Sequence, residues 1–145
     1  MKLIVGTLLV LTVSLAAEKS IKMKDLPAAV QKTIQEQTKG AEVKGISKET
    51  EKGKTLYEVE TVVNGKTRDM MVDASGKVTV IEQEVTLDSI PAAAKAAIEK
   101  QAAGGKITKV ETLTQGDAVT YEAAVTKGSK KSEITVKADG TPVKE

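Results

Sequence analysis

The chain has 145 residues, with 22 lysines and arginines against 20 aspartates and glutamates and a formal net charge of +2. It contains no histidine and no cysteine, and Tyr57 and Tyr121 are its only aromatic residues. The composition excludes a Ser-His-Asp triad, a thiol nucleophile, zinc sites built on histidine or cysteine, and disulfide bonds. We predict a protein without enzymatic activity, cofactor or metal site. Nucleic-acid binding is not expected either, because the charges are mixed and no aromatic residues accompany the basic ones.

Residues 1–17 have the layout of a secretory signal peptide. Lys2 provides a basic end, an apolar run extends from Leu3 to Leu15, and small residues follow before the sequence turns polar. The run is shorter than the roughly 20 residues that a membrane-spanning helix needs. We predict cleavage near Ala16 or Ala17, a periplasmic or secreted mature protein, and no membrane association after cleavage.

Residues 18–85 begin with a predicted helix. Pro27 suits the first turn of a helix, where its missing N–H costs nothing. Apolar or small side chains then recur at a spacing of three and four, which is typical of a helix with one buried face. Gly40 lies where a helix ends in a left-handed turn.

The alternation and turn signals in the rest of this first unit predict an antiparallel meander of about four strands. A three-residue step from Val43 to Ile46 indicates a bulge or bend in the first of them. Alternating apolar and polar residues from Thr55 to Val63 indicate a strand with one buried face. Asn64-Gly65 is a strong hairpin signal, and Asp73–Lys77 predicts a second tight turn.

Residues 86–145 repeat these signals at a shift of 64 positions, so that Pro27 corresponds to Pro91 and Gly40 to Gly104. We therefore predict an α+β fold of two tandem repeats, each one helix followed by an antiparallel meander of three to four strands. The last strand should be short and at a sheet edge, because Pro142 cannot donate a ladder hydrogen bond. Whether the two meanders form one sheet stays open.

The order of these motifs resembles the PepSY-like family, including its beta-lactamase-inhibitor-like branch. The residues that carry the resemblance are Leu26–Val30, Gly40–Val43, Tyr57–Val59 and Asp73–Lys77, with counterparts at Ile90–Ala93, Gly104, Tyr121-Glu122 and Lys137–Gly140. The resemblance implies a small exported domain without enzymatic activity, in a family that occurs in propeptides of secreted metallopeptidases. It also implies a grip on a partner protein through a concave sheet. We do not expect inhibition of a beta-lactamase, because such grips depend on aromatic residues.

Four residues are candidates for protein binding. Glu58, Glu60 and Glu122 alternate with apolar residues, so they are expected on the sheet face opposite the helices, as a binding strip or as a solvated surface. Arg68 is the chain's one arginine, a residue type common at interface hot spots. Tyr57 and Tyr121 are in phase with the apolar set and are expected to pack beneath the helices.

Two further groups of carboxylates have structural explanations. Asp69, Asp73 and Ser75 lack the ligand spacing of a calcium loop, and we interpret them as turn residues. Glu82 and Glu84 face the same way on a strand, and we interpret them as the charged residues of a sheet edge.

The sequence supports two hypotheses for function. In the first, the protein is an exported binding module that restrains a peptidase or another exported protein through its sheet surface. In the alternative, it is a periplasmic sensor of a small ligand or cation that uses the acidic sheet face. The sequence does not determine the oligomeric state.

Overall fold

The computed structural model describes residues 19–51 and 53–143, so the predicted signal peptide at residues 1–17 lies outside the described residues. The described chain forms two α-helices and eight strands. In chain order these are β1 (Lys19–Ser20), α1 (Ala28–Gln37), β2 (Glu42–Glu51), β3 (Lys54–Val63), β4 (Lys66–Asp73), β5 (Val78–Val85), α2 (Ala92–Ala102), β6 (Lys106–Gln115), β7 (Ala118–Lys127) and β8 (Lys130–Lys137). A single 3-10 turn precedes each helix, at Met23–Asp25 and at Leu87–Ser89.

All eight strands belong to one antiparallel sheet, and their order in the sheet is their order in the chain. The strands on either side of α2 pair directly, with Ile81 opposite Thr114 and Val85 opposite Val110. This pairing joins the strands that follow α1 to those that follow α2. The predicted α+β class and antiparallel meander are therefore confirmed, while the origin of the chain by internal duplication remains a prediction.

Each helix begins directly after its proline, as the sequence predicts. The carbonyl oxygen of Pro27 accepts a hydrogen bond from the backbone N–H of Gln31 at 3.0 Å, and that of Pro91 accepts one from Lys95 at 3.0 Å. After α1, Gly40 has a φ of 77° and so provides the left-handed turn expected there.

The strand signals are also confirmed in detail. Asn64 and Gly65 have φ angles of 51° and 78°, as a two-residue hairpin between right-twisted strands requires. The register between β2 and β3 shifts between Val43 and Gly45, which is the bulge predicted from the three-residue step. Beyond β8 the chain returns only as an isolated bridge from Pro142 to Val136, at the edge of the sheet.

The turn between β4 and β5 packs directly beneath α1. The hydroxyl of Thr33 donates a hydrogen bond to the carbonyl oxygen of Gly76 at 2.6 Å. Asp73 accepts hydrogen bonds from the backbone N–H groups of Ser75 at 2.9 Å and Lys77 at 3.1 Å, which confirms turn chemistry for Asp73 and Ser75. The side-chain hydrogen bond from Ser75, assisted by these backbone contacts, holds the pKa of Asp73 below its usual value. The interpretation of Asp69 as a turn residue is wrong, because Asp69 lies within β4 and pairs with strands on both sides.

Both helices cover the same face of the sheet, over two apolar clusters. The buried members under α1 are Leu26, Val30, Ile34, Ile46, Tyr57, Val59, Met70 and Val72. Those under α2 are Ile90, Ala94, Ile98, Ala102, Val110, Ala123, Val125, Ile134 and Val136. The second cluster has three alanines and no large aromatic among its fully buried members, so it presents the thinner apolar layer. The opposite face of the sheet carries no helix of the described chain.

Candidate functional site

The helix-free face of the sheet carries the candidate site. Side chains alternate between the two faces of a strand, so the burial of Tyr57 and Val59 beneath α1 places Glu58 and Glu60 on the other face. In the same way, the burial of Ala123 beneath α2 places Glu122 there.

Strand register gathers six carboxylates of this face into two rows. Row 1 crosses β3, β4 and β5 and consists of Glu60, Asp69 and Glu82, each directly opposite the next. Row 2 crosses β5, β6 and β7 and consists of Glu84, Glu111 and Glu122, again directly opposite one another. Directly opposed residues have Cβ atoms about 5 Å apart, and like charges in that position repel. The rows lie two residues apart along β5, or about 6.7 Å.

Apolar side chains lie between and beside these carboxylates. Met71 is 3% exposed and Leu113 is 7% exposed, although neither lies beneath a helix. Met71 and Val80, with the carboxylates of Glu58, Asp69 and Glu82, line a shallow depression in the face. The carboxylates are therefore packed against apolar side chains and are less hydrated than carboxylates on an open surface.

Most carboxylates of the two rows have polar partners. Asp69 accepts a hydrogen bond from the backbone N–H of Thr61 at 3.1 Å. Glu84 accepts one from the backbone N–H of Thr67 at 3.1 Å. The remaining two contacts are a hydrogen bond from the Thr135 hydroxyl to Glu122 at 3.2 Å and an ion pair between Lys109 and Glu111 at 2.5 Å.

Glu82 differs from these neighbours. Among the described residues it accepts no hydrogen bond and forms no ion pair. Burial, together with the negative charges of Glu111, Glu122 and Asp69, raises the pKa of Glu82 from its usual 4.5 to about 7, while Lys109 opposes the increase. The interpretation of Glu82 and Glu84 as edge charges is wrong, because β5 pairs with a strand on each side and lies in the middle of the sheet.

Two other groups of the face titrate abnormally. Burial, followed by the charge of Glu133, raises the pKa of Glu122, although its hydrogen bond from Thr135 works in the opposite direction. Burial alone would lower the pKa of Lys109, but the hydrogen bond and charge of Glu111, together with Asp69 and Glu84, leave it above the usual value. Lys109 thus stays charged and is held within the acidic surface.

The structure places three of the four candidate residues on this face. Arg68 lies on the opposite face, where its guanidinium donates hydrogen bonds to the backbone oxygen of Gln37 at 3.4 Å and to the side-chain oxygen of Gln37 at 3.5 Å. The alternation of side chains in the sequence indicates this position, because Arg68 is in phase with Met70 and Val72, which are buried beneath α1. The two tyrosines lie beneath the helices as expected, Tyr57 buried and Tyr121 partly buried.

Sequence reasoning missed several residues of the face: it interpreted Asp69, Glu82 and Glu84 as turn or edge residues, and it did not single out Glu111 and Thr120. Thr120 is 5% exposed, and its hydroxyl finds no hydrogen-bond partner among the described residues. It lies directly opposite Leu113, which in turn lies opposite Glu82. Thr120 therefore extends row 1 across the sheet, a relation that depends on the pairing of β5 with β6.

Within residues 19–51 and 53–143, no three carboxylates converge in an arrangement that could hold a metal ion. The two rows are spread over successive strands, and each carboxylate projects from its own position in the sheet.

In the described part of the chain, neither helix has the length and apolar character needed to span a bilayer.

Replacing Glu82 by glutamine is expected to stabilise the protein at pH 8 and to have little effect at pH 4. The unfolded chain loses this proton near pH 4.5, whereas the folded protein keeps it to about pH 7. The contribution of Glu82 to the free energy of unfolding is therefore greatest below pH 4.5 and is lost as the pH rises through 7. After allowance for solvent screening, we expect E82Q to gain about 1–3 kcal/mol at pH 8.

Urea denaturation of the wild type and E82Q at both pH values measures this difference. The matched control is Glu36→Gln, which makes the same change on exposed α1 and should leave stability unchanged at both pH values. An equal gain for E82Q at pH 4 and pH 8 would show that the charge of Glu82 is not the cause.

The geometry defines a small domain with two helices on one face of an antiparallel sheet and a broad acidic surface on the other. Residues 27–82, which cover α1 and most of β2–β5, match the family model described as the peptidase propeptide and YPEB domain, or PepSY. The resemblance inferred from the sequence is thereby confirmed, and these residues are similar to a PepSY domain. Comparison with curated proteins found no match.

Solved structures from Bacteroides species share the fold over more of the chain. A protein of Bacteroides eggerthii, provisionally described as periplasmic, is 20% identical with a TM-score of 0.69, covering 82% of this chain and 86% of its own. A DUF2874 family protein of Bacteroides ovatus is 18% identical with a TM-score of 0.65, covering 82% and 85%. A BLIP-like protein of Bacteroides fragilis is 18% identical with a TM-score of 0.62, covering 82% and 84%. At this level of identity the similarity shows a common fold.

Proposed function

We propose that this protein is an exported, non-enzymatic binding module that holds another exported protein, such as a peptidase, against its helix-free sheet face. The observation that carries the proposal is the state of that face. It combines carboxylates directly opposed across strands with buried apolar residues, and its central carboxylate, Glu82, has no polar partner among the described residues. The repulsion between directly opposed carboxylates destabilises this face in isolation, and a partner that brings positive charge would relieve it.

The position of the helices supports the same proposal. Both cover one face, which leaves the other accessible across β3 to β8, a width of about 24 Å at the usual strand spacing. Antiparallel sheets commonly leave one face to solvent, but an ordinary solvated face does not place like charges directly opposite one another across several strands. The PepSY match of residues 27–82 and the descriptions of periplasmic proteins with this fold are consistent with export.

We also propose that the two halves arose by duplication, which would extend the PepSY-like unit to the second half. Gly76 and Gly140 are 64 positions apart (140 − 76), the shift found in the sequence. Each closely approaches the backbone of the helix in its own half, Gly76 at Ala29 and Gly140 at Ala93. The helix-free face then consists of two related surfaces joined where β5 meets β6.

Retention of a partner from the exported fraction of the source organism tests the proposed function. The immobilised mature protein is compared with a face variant, Glu58→Lys with Glu122→Lys, and with a helix-side variant, Glu36→Lys with Glu99→Lys. Both variants change the net charge equally. We expect a discrete protein to be retained by the wild type and the helix-side variant and to be lost from the face variant.

Equal retention by all three proteins would place the interaction elsewhere and contradict the proposal. A clean wild-type monomer without a retained protein, over a range of pH and salt, would contradict it as well. Circular dichroism of each variant confirms that loss of retention does not reflect loss of the fold.

A further inference from the structure

We propose that the partner presents a cationic, extended polypeptide segment. One lysine or arginine side chain of that segment lies over Glu82, on β5, where row 1 comes closest to row 2. This inference rests on the proposed function, because it specifies the chemistry of the partner for the same face. Three observations support it: the charge of the face, the lack of a partner for Glu82, and the unpaired hydroxyl of Thr120.

The charge of the two rows favours a cation. Six carboxylates lie within five neighbouring strands, and among the described residues Lys109 is the cation that forms an ion pair with them, through Glu111. The charged groups that surround Glu82 come from every neighbouring strand and include few bases: Glu58 from β3, Asp69 from β4, Glu84 on its own strand, Glu111 and Lys109 from β6, and Glu122 from β7. A second cation would relieve this repulsion.

Binding of such a cation is most favourable beside Glu82. Its carboxylate is half-buried and lacks a polar partner among the described residues, so at neutral pH it retains a proton in part of the molecules. A lysine or arginine above it would favour the ionised form and release that proton. Binding of the cation and ionisation of Glu82 are therefore linked.

Thr120 provides an independent indication of a ligand. Its hydroxyl is buried without a partner on this face, and buried hydroxyls are normally hydrogen-bonded. Its side chain lies next to Leu113, across the strand, and two residues from Glu122 of row 2. A segment that displaces the overlying side chains could donate a hydrogen bond from its backbone N–H or its cationic head to Thr120, while its aliphatic stem covers Leu113.

The spacing of the rows favours an extended polypeptide. Side chains on one face of an extended chain repeat every two residues, or about 6.7 Å, which is also the separation of the rows along β5. Basic residues at alternate positions of a segment can therefore contact both rows simultaneously. The spread of the carboxylates over separate strands suits several distributed cationic groups better than one metal ion.

Isothermal titration calorimetry with a seven-residue peptide of alternating lysine and serine tests the inference, with the full mature protein at low salt. We expect binding at pH 8 that is about tenfold tighter than at pH 6, because the binding-competent ionised form of Glu82 becomes the minor form as the pH falls below 7. Titration in buffers of different ionisation enthalpy should show release of a proton near pH 7. The same peptide with glutamate in place of lysine should not bind.

Variants distinguish a defined site from diffuse attraction. E82Q should lose both the pH dependence and the proton release, whereas Glu36→Gln on α1 should bind like the wild type. Thr120→Val keeps the shape of the side chain, and we expect it to weaken binding by about fivefold, the value of one typical hydrogen bond. Thermal unfolding of each variant establishes that it is folded.

Lack of peptide binding at pH 8 and low salt would contradict the proposal of a cationic segment. Equal effects of E82Q and E36Q on the pH dependence of binding would contradict it as well. If a protein is nevertheless retained on the helix-free face, the proposed function stands and its partner has a different chemistry. If neither the peptide nor a protein binds this face, both proposals fail.

Discussion

Replacing Ile34 by alanine is expected to lower the free energy of unfolding by about 3 kcal/mol, since truncation of a fully buried isoleucine removes apolar burial and leaves a cavity. Ile34 has no exposed surface and lies in the cluster between α1 and the sheet. The effect should extend to both halves of the chain, because β5 and β6 pair directly within one sheet. Unfolding should therefore remain one cooperative transition at a lower urea concentration.

Urea unfolding followed by circular dichroism measures this prediction. The control is Gln35→Ala, on the exposed side of the same helix, for which we expect a change within about 0.5 kcal/mol. Two separate transitions in the Ile34 variant would show that the halves unfold independently and that the pairing of β5 with β6 adds little to cooperativity.

Replacing Gly76 by alanine is expected to cost about 2–4 kcal/mol, from two causes that can be separated. Gly76 has a φ of 87°, a conformation that a residue with a Cβ adopts at a cost of about 1–2 kcal/mol. A Cβ at this position would also lie 2.7 Å from the backbone oxygen of Ala29, so α1 must move away from the turn, which adds the cost of overpacking. The hydrogen bond from Thr33 to Gly76 would be strained by the same movement.

Gly65→Ala is the matched control for this prediction. Its φ is 78°, but a Cβ there would meet nothing within 4 Å. Its cost should therefore be the backbone term alone, about 1–2 kcal/mol. Equal losses in urea unfolding for the two variants would show that the contact between α1 and the turn is not close enough to matter.

Close packing stabilises the helix side of the sheet, whereas the charges of the acidic face destabilise the fold. Ile34 and Gly76 contribute to stability through close packing. Glu82 lowers stability once it is ionised, because its burial and its acidic neighbours disfavour the charge. The helix-free face therefore retains an unfavourable arrangement of charges, which the proposed cationic partner would relieve.

The local elements of this fold follow from short stretches of the chain. Pro27 and Pro91 lie directly before the helices and determine where they begin. A proline there lacks only an N–H that the helix does not use, and its ring disfavours a helical conformation in the preceding residue. Asn64 and Gly65 favour the left-handed backbone of a two-residue hairpin. The alternation around Tyr57 also assigns Glu58 and Glu60 to the face opposite the helices. Each of these features depends on the conformational preference of one residue or on a period of two.

The same alternation would have placed Arg68 correctly. Met70 and Val72 belong to the apolar set beneath α1, and Arg68 is in phase with both. Residue type alone points to an interface, whereas position in the strand points to the helix side. In the structure it lies at the C-terminal end of α1, where a guanidinium is favoured by the helix dipole and the free carbonyl groups.

The centre of the candidate site was decided by the tertiary structure. The pairing of β5 with β6 brings Glu82 and Glu84 beside Glu111 and Leu113, although 26 residues or more separate these partners in the sequence. The periods within each strand contain no information about that junction. For this reason Glu82 was expected at an edge and was found in the middle of one sheet.

The sequence by itself determined the helices, the turns, the α+β class and the face on which each strand residue lies, because these depend on local backbone preference and on the alternation of side chains. The tertiary structure decided that the two meanders form one sheet, that two rows of carboxylates meet across it, and that Glu82 titrates near pH 7. The physical reason is that desolvation and repulsion between charges depend on distances across strands far apart in the chain.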